Sequence, residues 1–505
     1  MMNINRNILR SILVLSYVLV IGFIIYGFSA LYSYLNTGAD RSSMLHTDVK
    51  KIDQYLPKIT WETLKNEGRP MDEQTLGCIE TNYLDAWYVK HLGYQTNTKK
   101  GIDDYYTENA RKNIYAIIDE NLDAGITIES TTLQHDLNLE FFSEDGQLVV
   151  LTDKNVVEYK RIYKNETLIL ETTDVSTYKV ILLLEDGFWR IRHMVKESSA
   201  DFKPDNKTVS NENLDIKGIN YYPQASPWDM FGEQFDADII SKDFKRIKDA
   251  GLNSIRIFVP YEAFGKANVD SEKLKKLVQV MDVAEAEHIK VMVTLFDFYG
   301  DYAVLDWTLN QRHAETIVSA LKNHNALFAW DIKNEPNLDF ESRNQVNVMA
   351  WLDHMINLVK SLDSEHPVTI GWSNAESATL LKDKVDVVSF HYYEALDDLE
   401  VTYKTLKTDI PDKPIAITEF GMSSYSGLWN PFGNSETDQA DYHKDAQTIF
   451  SENNIPFMSW TLYDFTEIPK EVVGRLPWRK NAQKRFGFID EHGVEKEAYE
   501  YINHP

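Results

Sequence analysis

"LFAWDIKNEP", residues 327–336, is an apolar, strand-like run that stops abruptly at an amide, a carboxylate and a proline. Asn and Pro suit a turn, so the ending could be structural. A catalytic reading requires a second carboxylate, presented elsewhere in the chain in the same way. The fold decides between these readings, because only a repeating architecture would bring two such strand tips together.

Seven further runs share this character: "KGINYY" (217–222), "SIRIFV" (254–259), "KVMVTLF" (290–296), "VTIGW" (368–372), "VDVVSFHYY" (385–393), "PIAITEF" (414–420) and "PFMSWTLYDF" (456–465). Between most of them lie amphipathic helical patterns such as "EKLKKLVQVMDVAEAEH" and "VMAWLDHMINLVKSLD". Near-continuous apolar strands alternating with helices predict a parallel sheet buried on both faces. Eight such units in about 290 residues predict a closed (β/α)8 TIM barrel over residues 216–505. The fifth and sixth strands start only about 18 residues apart, so their crossover, "SATLLKD", must be short. A doubly wound open sheet would want a glycine-rich phosphate loop after its first strand, and "GINYYPQ" is not one.

In such a barrel the active site lies at the C-terminal strand ends. Those ends carry Asn220, Tyr222, Arg256, Asp297, Asn334, Glu335, His391, Tyr393, Glu419 and Trp460. The second carboxylate is therefore Glu419, on the seventh strand, across the mouth from Glu335 on the fourth. Two carboxylates so placed suit glycoside hydrolysis, with retention at a separation of about 5–5.5 Å and inversion at about 6.5–9.5 Å. Sequence alone leaves that distance open. Arg256 and Tyr393 would keep a nucleophilic carboxylate ionised. Trp460 would stack on a sugar face, and Asn334 would bond a sugar hydroxyl. A metal-dependent barrel hydrolase would need ligand clusters such as HxH on the first strand, where there is no His, so neither metal nor cofactor is expected.

The Asn-Glu-Pro of "AWDIKNEP", the His-x-Tyr of "SFHYY", the "ITEFG" segment and the Trp of "SWTLYDF" resemble glycoside hydrolase clan A, in particular its cellulase- and mannanase-type family 5 members. The likeness covers about residues 216–503, including the closing "RFGFIDEHGVEKEAY". These enzymes are retaining. The resemblance implies Glu335 as acid/base, Glu419 as nucleophile, Asn334 at the sugar 2-hydroxyl, and Arg256 and Tyr393 beside the nucleophile. It also implies His391 as a substrate-site hydrogen-bonding residue and Trp460 as the sugar platform. Many cellulase-type members carry a His after the third strand, where this chain reads "LFDFYGDY", a departure that counts against cellulose as substrate. A transglycosylase using the same pair, or a non-catalytic membrane-tethered carbohydrate-binding protein, are the competing readings. Trp228, Trp307, Trp429 and Trp478 are candidates for further sugar contacts.

Upstream, residues 41–200 predict a smaller α+β domain. Helical patterns ("KKIDQYLPKITWETLKNEG", "LDAWYVKHLG", "RKNIYAIIDENLDAG") precede strands punctuated by Glu-Asp-Gly turns at 144–146 and 185–187. The ending "LLLEDGFWRIRHM" resembles the last hairpin of the nuclear-transport-factor-like cone fold, in which His135, Trp189 and His193 would line a pocket or pack structurally. The expected role is a spacer that could also meet a membrane or cell-envelope partner, joined to the barrel by a polar linker at 201–215.

Ser11 through Ala39 carries no charge, a stretch of about 29 residues preceded by Arg6 and Arg10. Its length suits one N-terminal transmembrane helix within residues 1–40, anchoring the chain in a lipid bilayer with a cytoplasmic N-terminus and everything downstream outside the cytoplasm. Cleavage within residues 1–29 would instead release a secreted protein. The net charge of −26 argues against nucleic acid and is compatible with neutral or cationic partners, acidity alone being mostly a solubility trait. The single cysteine, Cys78, excludes an internal disulfide and reads as a half-buried packing residue.

Overall fold

The computed structural model of the protein describes residues 15–28, 54–203, 214–427, 430–469, 472 and 477–504. The chain divides into two units, Met1–Asp53 and Gln54–Pro505. In the first, residues 15–28 are helical with exposed side chains. No helix among the described residues is long and apolar enough to cross a membrane, and the remainder of the uncharged 11–39 stretch lies outside them.

The second unit opens with a five-stranded sheet in the order β1 (Lys58–Thr63), β2 (Ile126–Phe142), β3 (Leu148–Lys164), β4 (Thr167–Glu185) and β5 (Phe188–Asp201). The helices Glu73–Thr96 and Glu108–Ala124 lie between β1 and β2 in sequence, and the former packs on β2 and β5. Both Glu-Asp-Gly stretches make the turns joining β2 to β3 and β4 to β5. The α+β expectation holds with one correction. Residues 58–63 form a strand, not a helix, and pair parallel with β2. The alternation that places Ile59 and Trp61 on the partly buried face has a period of two, a helix pattern being 3.6. Cys78 is exposed, not half-buried.

Inside this domain His135 is fully buried, with Nδ1 2.6 Å from Asp153 and Nε2 2.6 Å from the Thr132 hydroxyl. Tyr83 donates to the same Asp153 oxygen at 2.6 Å. Trp189 is core and His193 is exposed, so the three candidates do not line one pocket.

The barrel follows as expected. Strands β6 (Lys217–Asn220), β7 (Ser254–Pro260), β8 (Lys290–Asp297), β9 (Leu327–Asn334), β10 (Val368–Trp372), β11 (Val388–Tyr392), β12 (Ile415–Phe420) and β13 (Phe457–Ser459) close into a ring of parallel pairs. The crossover between β10 and β11 holds only the four-residue helix Ala375–Ala378. Polar caps start several of the other helices. Asp270 accepts the Glu272 and Lys273 N–H groups ahead of Ser271–Ala286, satisfying donors a helix start leaves free.

The upstream domain is docked rather than strung out as a spacer. Leu133, Val157 and Tyr159 of its sheet belong to the barrel's own hydrophobic core. Tyr159 lies against Trp307 with ring centroids 4.3 Å apart. Buried Arg161 donates to Asn347 Oδ1 at 2.7 Å and to the Val346 carbonyl at 2.8 Å. We expect the sheet and barrel to unfold in one cooperative transition, with Tyr159→Ala lowering stability by roughly 3 kcal/mol in chemical denaturation. Two separate transitions, with the barrel's unmoved by the substitution, would contradict a shared core.

Candidate active site

Strand register assembles the site. Asn220 pairs with Arg256 across β6 and β7, Asn334 with Gly371 across β9 and β10, and His391 with Glu419 across β11 and β12. Register shifts fall between Thr369 and Gly371 and between Phe390 and His391, re-aiming side chains at the mouth. Glu335 follows β9 in a left-handed conformation (φ 46°, ψ 49°), and its N–H is tied to the Gly371 carbonyl at 2.7 Å. Pro336 then opens a short 3-10 turn that fixes where the strand stops.

Arg256 is the hub. It is fully buried, and all five guanidinium N–H groups find acceptors. Nε donates to Asp331 Oδ2 at 3.1 Å and Nη2 to the same oxygen at 2.6 Å. Nη1 donates to Asn220 at 3.1 Å and to Glu419 Oε1 at 2.6 Å, and Nη2 also reaches Asn334 Oδ1 at 2.8 Å. Asp331 is held in turn by the Thr294 hydroxyl at 2.7 Å and the Gly371 N–H at 2.9 Å. Asn220 clasps the Thr418 and Ser459 carbonyls through its amide. Burial disfavours the Arg256 charge, but Asp331 and Glu419 outweigh it and hold the guanidinium protonated.

Glu419 Oε2 receives the Tyr393 hydroxyl at 3.1 Å, while His391 Nδ1 lies 2.8 Å from Glu335 Oε1 and 3.4 Å from Glu419 Oε2. One oxygen of each glutamate and a His391 nitrogen fall within 4.8 Å of one another. Burial raises both carboxyls. At Glu335 the hydrogen bond and charge of His391 outweigh burial and draw it down, whereas at Glu419 burial and the Glu335 charge prevail over His391 and Arg256. The two titrate as one pair. His391 Nε2 is buried, has no hydrogen-bond partner among the described residues, and packs where a Cβ on Gly371 would lie 3.2 Å away. Nδ1 is the ring nitrogen that meets Glu335. Glu419 is the carboxyl in direct contact with Arg256 and the Tyr393 hydroxyl, contacts that favour its charged form.

A cleft of about 640 Å³ opens over this pair. Tyr222, Trp228, Phe258 and Trp460 form its aromatic wall, with Tyr222 stacked on Phe258 at 5.2 Å. Tyr393 is partly exposed at the mouth. The residues expected at the site, Glu335, Glu419, Arg256, Asn334, His391, Tyr393 and Trp460, thus converge. Of the four further tryptophans, Trp228 lines the cleft and Trp307 lies away from it, in the interface with the upstream sheet. Trp429 and the Trp478 side chain lie outside the described residues.

Asp331, Gly371 and Lys333 are site residues that the strand tips alone do not single out. A Cβ on Gly371 would meet Arg256 Nη2 at 2.6 Å, so glycine is required for that close approach. Lys333 lines the cleft with Nζ 3.3 Å from Asp339, and Asp297 lies in the same wall. Burial pushes Asp297 up to about 6, against Lys333 and Arg256. As to metal, the Glu335–His391–Glu419 group could offer three ligands, but Arg256 already supplies positive charge at Glu419 Oε1.

Asp331→Asn should loosen Arg256 and lower kcat/KM by about 10²-fold on any substrate while leaving the fold intact by circular dichroism. An unchanged kcat/KM would show that Arg256 needs no such tether. Asp297 is protonated more readily folded than unfolded, so burying it costs nothing below about pH 4 and most above about pH 6. Asp297→Asn should therefore stabilise the protein at pH 7 by a few kcal/mol, each tenfold gain in proton affinity being worth about 1.4 kcal/mol, and not at pH 4. Equal effects in denaturation at both pH values would refute this.

The family described as Cellulase (glycosyl hydrolase family 5) matches residues 210–466. A β-glucuronidase of Streptococcus agalactiae serotype V is 27% identical over 384 residues, covering 68% of this chain and 60% of that protein. Mannan endo-1,4-β-mannosidase A of Hypocrea jecorina is 24% identical over 201 residues, covering 32% of this chain and 45% of that protein. Among solved structures, the exo-β-1,4-mannosidase Op5Man5 from Opitutaceae bacterium strain TAV5 aligns with a TM-score of 0.47 at 18% identity, covering 57% of this chain and 58% of that one. The chain spans 60% or less of the length of these relatives. With the family matched over half of its length and an eight-stranded barrel beneath the paired glutamates, the chain belongs to glycosyl hydrolase family 5.

Proposed function

We propose that the protein is a retaining β-glycosidase that hydrolyses a neutral poly- or oligosaccharide by double displacement. The carrying observation is the pair of carboxylates within 4.8 Å, each with a different partner: Arg256 and Tyr393 at Glu419, His391 at Glu335. That spacing favours the about 5–5.5 Å class over the 6.5–9.5 Å class, which must leave room for a water.

Glu419 attacks the anomeric carbon through Oε2 while Oε1 stays on Arg256. Glu335 gives its proton to the leaving glycosidic oxygen. A glycosyl ester on Glu419 results, and the freed aglycone vacates the cleft. Ionised Glu335 then takes a proton from water, whose oxygen attacks the anomeric carbon, releasing Glu419 and restoring the acid. Asn334 has its amide oxygen fixed by Arg256, so its NH₂ is the group available to a sugar hydroxyl. Trp460 offers the stacking face in the aromatic wall. Among the described lining residues Asp297, Asp339, Glu335 and Glu419 outnumber Lys333, which favours neutral sugars over uronates. The named relatives include both a mannan endo-1,4-β-mannosidase and a β-glucuronidase, so both sugar classes belong in the test.

We also propose that the uncharged 11–39 stretch anchors the chain in a bilayer, with the barrel outside the cytoplasm. Its length and the preceding Arg6 and Arg10 support this reading. Protease added to intact cells should then digest the barrel, and full protection of the barrel would contradict it.

Incubation with β-glucans, β-mannans, xylans and aryl β-glucuronides should release products from one class, lost in Glu419→Ala. Glu335→Ala should lose activity on the glycan yet, with an aryl glycoside and added azide, form the β-glycosyl azide. An α-glycosyl azide, or undiminished turnover in Glu419→Ala, would sink the assignment.

A further inference from the structure

Of the carboxyls among the described residues of the cleft lining, one is short of partners. Glu335 has His391 at 2.8 Å, Glu419 has Arg256 at 2.6 Å, and Asp339 is bonded by the Tyr302 hydroxyl and by Lys333. Asp297 is reached by one described side chain, the Tyr222 hydroxyl, at 3.5 Å, which is long for a hydroxyl donor. No described side chain donates to its other oxygen, Oδ1, which is not sealed from solvent although the residue is only 4% exposed. An ionised carboxylate can accept about four hydrogen bonds, so most of this capacity is unused.

The backbone holds this carboxyl in place. Asp297 closes β8, pairs with Pro260 of β7, and accepts the Tyr261 N–H through its carbonyl at 3.1 Å. Phe298 then turns the chain away in a left-handed conformation (φ 57°), a strain of the kind that collects at ligand sites. Tyr222 lies edge-on to Trp460 with centroids 6.3 Å apart, and the charges of Asp297, Arg256 and Glu419 all act on its hydroxyl. Asp297 thus shares the nucleophile's part of the cleft with the Trp460 face. Its charge is answered at longer range by Lys333 and Arg256. Both cations have their donors engaged elsewhere: Arg256 on Asp331, Asn220, Glu419 and Asn334, and Lys333 at 3.3 Å from both Asp339 and the Asn334 carbonyl. Asp297 therefore lacks hydrogen-bond donors, not a counter-charge. An ammonium brought to it would face two cations, and a sugar carboxylate would face Asp297 itself. A hydroxyl supplies the missing donor without adding charge.

We propose that Asp297 is a specificity-determining residue, which accepts a hydrogen bond from a hydroxyl, other than the 2-hydroxyl, of the sugar that Glu419 attacks. The proposal rests on the glycosidase reading and deepens it. Such a grip selects sugars by the presence and orientation of that hydroxyl.

The test assays the full chain, Asp297→Ala and Asp297→Asn on 4-nitrophenyl β-glycosides of glucose, mannose and xylose. The best of these is then replaced by analogues lacking, one at a time, each hydroxyl but the 2-hydroxyl. Asp297→Ala should lower kcat/KM on the parent glycoside by about 10- to 100-fold, the worth of a hydrogen bond to a charged acceptor. One analogue should lose as much in the wild type, and on that analogue alone the substitution should cost less than about 3-fold, because the two changes remove the same contact. Asp297→Asn keeps an acceptor oxygen in the same shape, so it should lose less than the alanine variant, which separates the contact from a folding defect. An Asp297→Ala cost equal on every analogue, or an unchanged kcat/KM on the parent, would overturn the proposal. Turnover absent from the wild type, or surviving Glu419→Ala, would instead sink the glycosidase reading on which it rests.

Discussion

Five hydrogen bonds from one buried guanidinium hold the active end of the barrel together. Arg256 reaches β6 through Asn220, β9 through Asp331 and Asn334, and β12 through Glu419, so one side chain ties together strands that are not all neighbours in the ring. A buried arginine is tolerable only when its charge is balanced and its donors are used, and both conditions hold here. Asp331 supplies a second, permanently engaged anion. This leaves Glu419 free to change its bonding at Oε2 while Oε1 stays fixed. Gly371 is the steric complement, since any larger residue would occupy the space the guanidinium needs. The carboxylate pair, its spacing and its unequal partners all follow from this arrangement.

The upstream domain reaches the cleft wall through one helix. On Trp307–Leu321, Trp307 stacks on Tyr159 of the sheet, and Asn310 accepts hydrogen bonds from Tyr299 and Trp351, each at 2.9 Å. Tyr299 itself lines the cleft, and Tyr302 bonds Asp339, the partner of Lys333. The sheet therefore braces the wall formed by the segment after β8, the same segment that departs from the cellulase-type pattern. Rather than a spacer, the domain completes the barrel's core on that side.

The barrel is legible in the sequence because each strand announces itself as an apolar run, and the strand tips alone yield both glutamates and five of their neighbours. Asp331 is not legible, although it sits in the run 327–336, because an acid inside a strand has no partner until the strand bearing Arg256 is placed beside it. Residues 331, 333 and 335 alternate onto one face, a signal that points to Asp331 and Lys333 once it is sought. Gly371 is silent for a deeper reason: its requirement is a distance to a side chain more than a hundred residues away. The strand at 58–63 is hidden because six residues carry too few repeats to separate a period of two from one of 3.6, and its partner β2 lies far along the chain. The docking of Tyr159 on Trp307 is likewise illegible, since an aromatic residue in a strand gives no hint of which surface it covers.

The most direct test of the account is to trap the intermediate. The enzyme, incubated with 2-deoxy-2-fluoro-β-glycosyl fluorides of the glucose, mannose and xylose series, is digested and mapped by mass spectrometry. A single fluoroglycosyl adduct on the peptide bearing Glu419, formed more slowly in Asp331→Asn, is the predicted result. An adduct on Glu335, or turnover of the true substrate with inversion and no adduct anywhere, would contradict the assignment of Glu419 as the Arg256-held nucleophile.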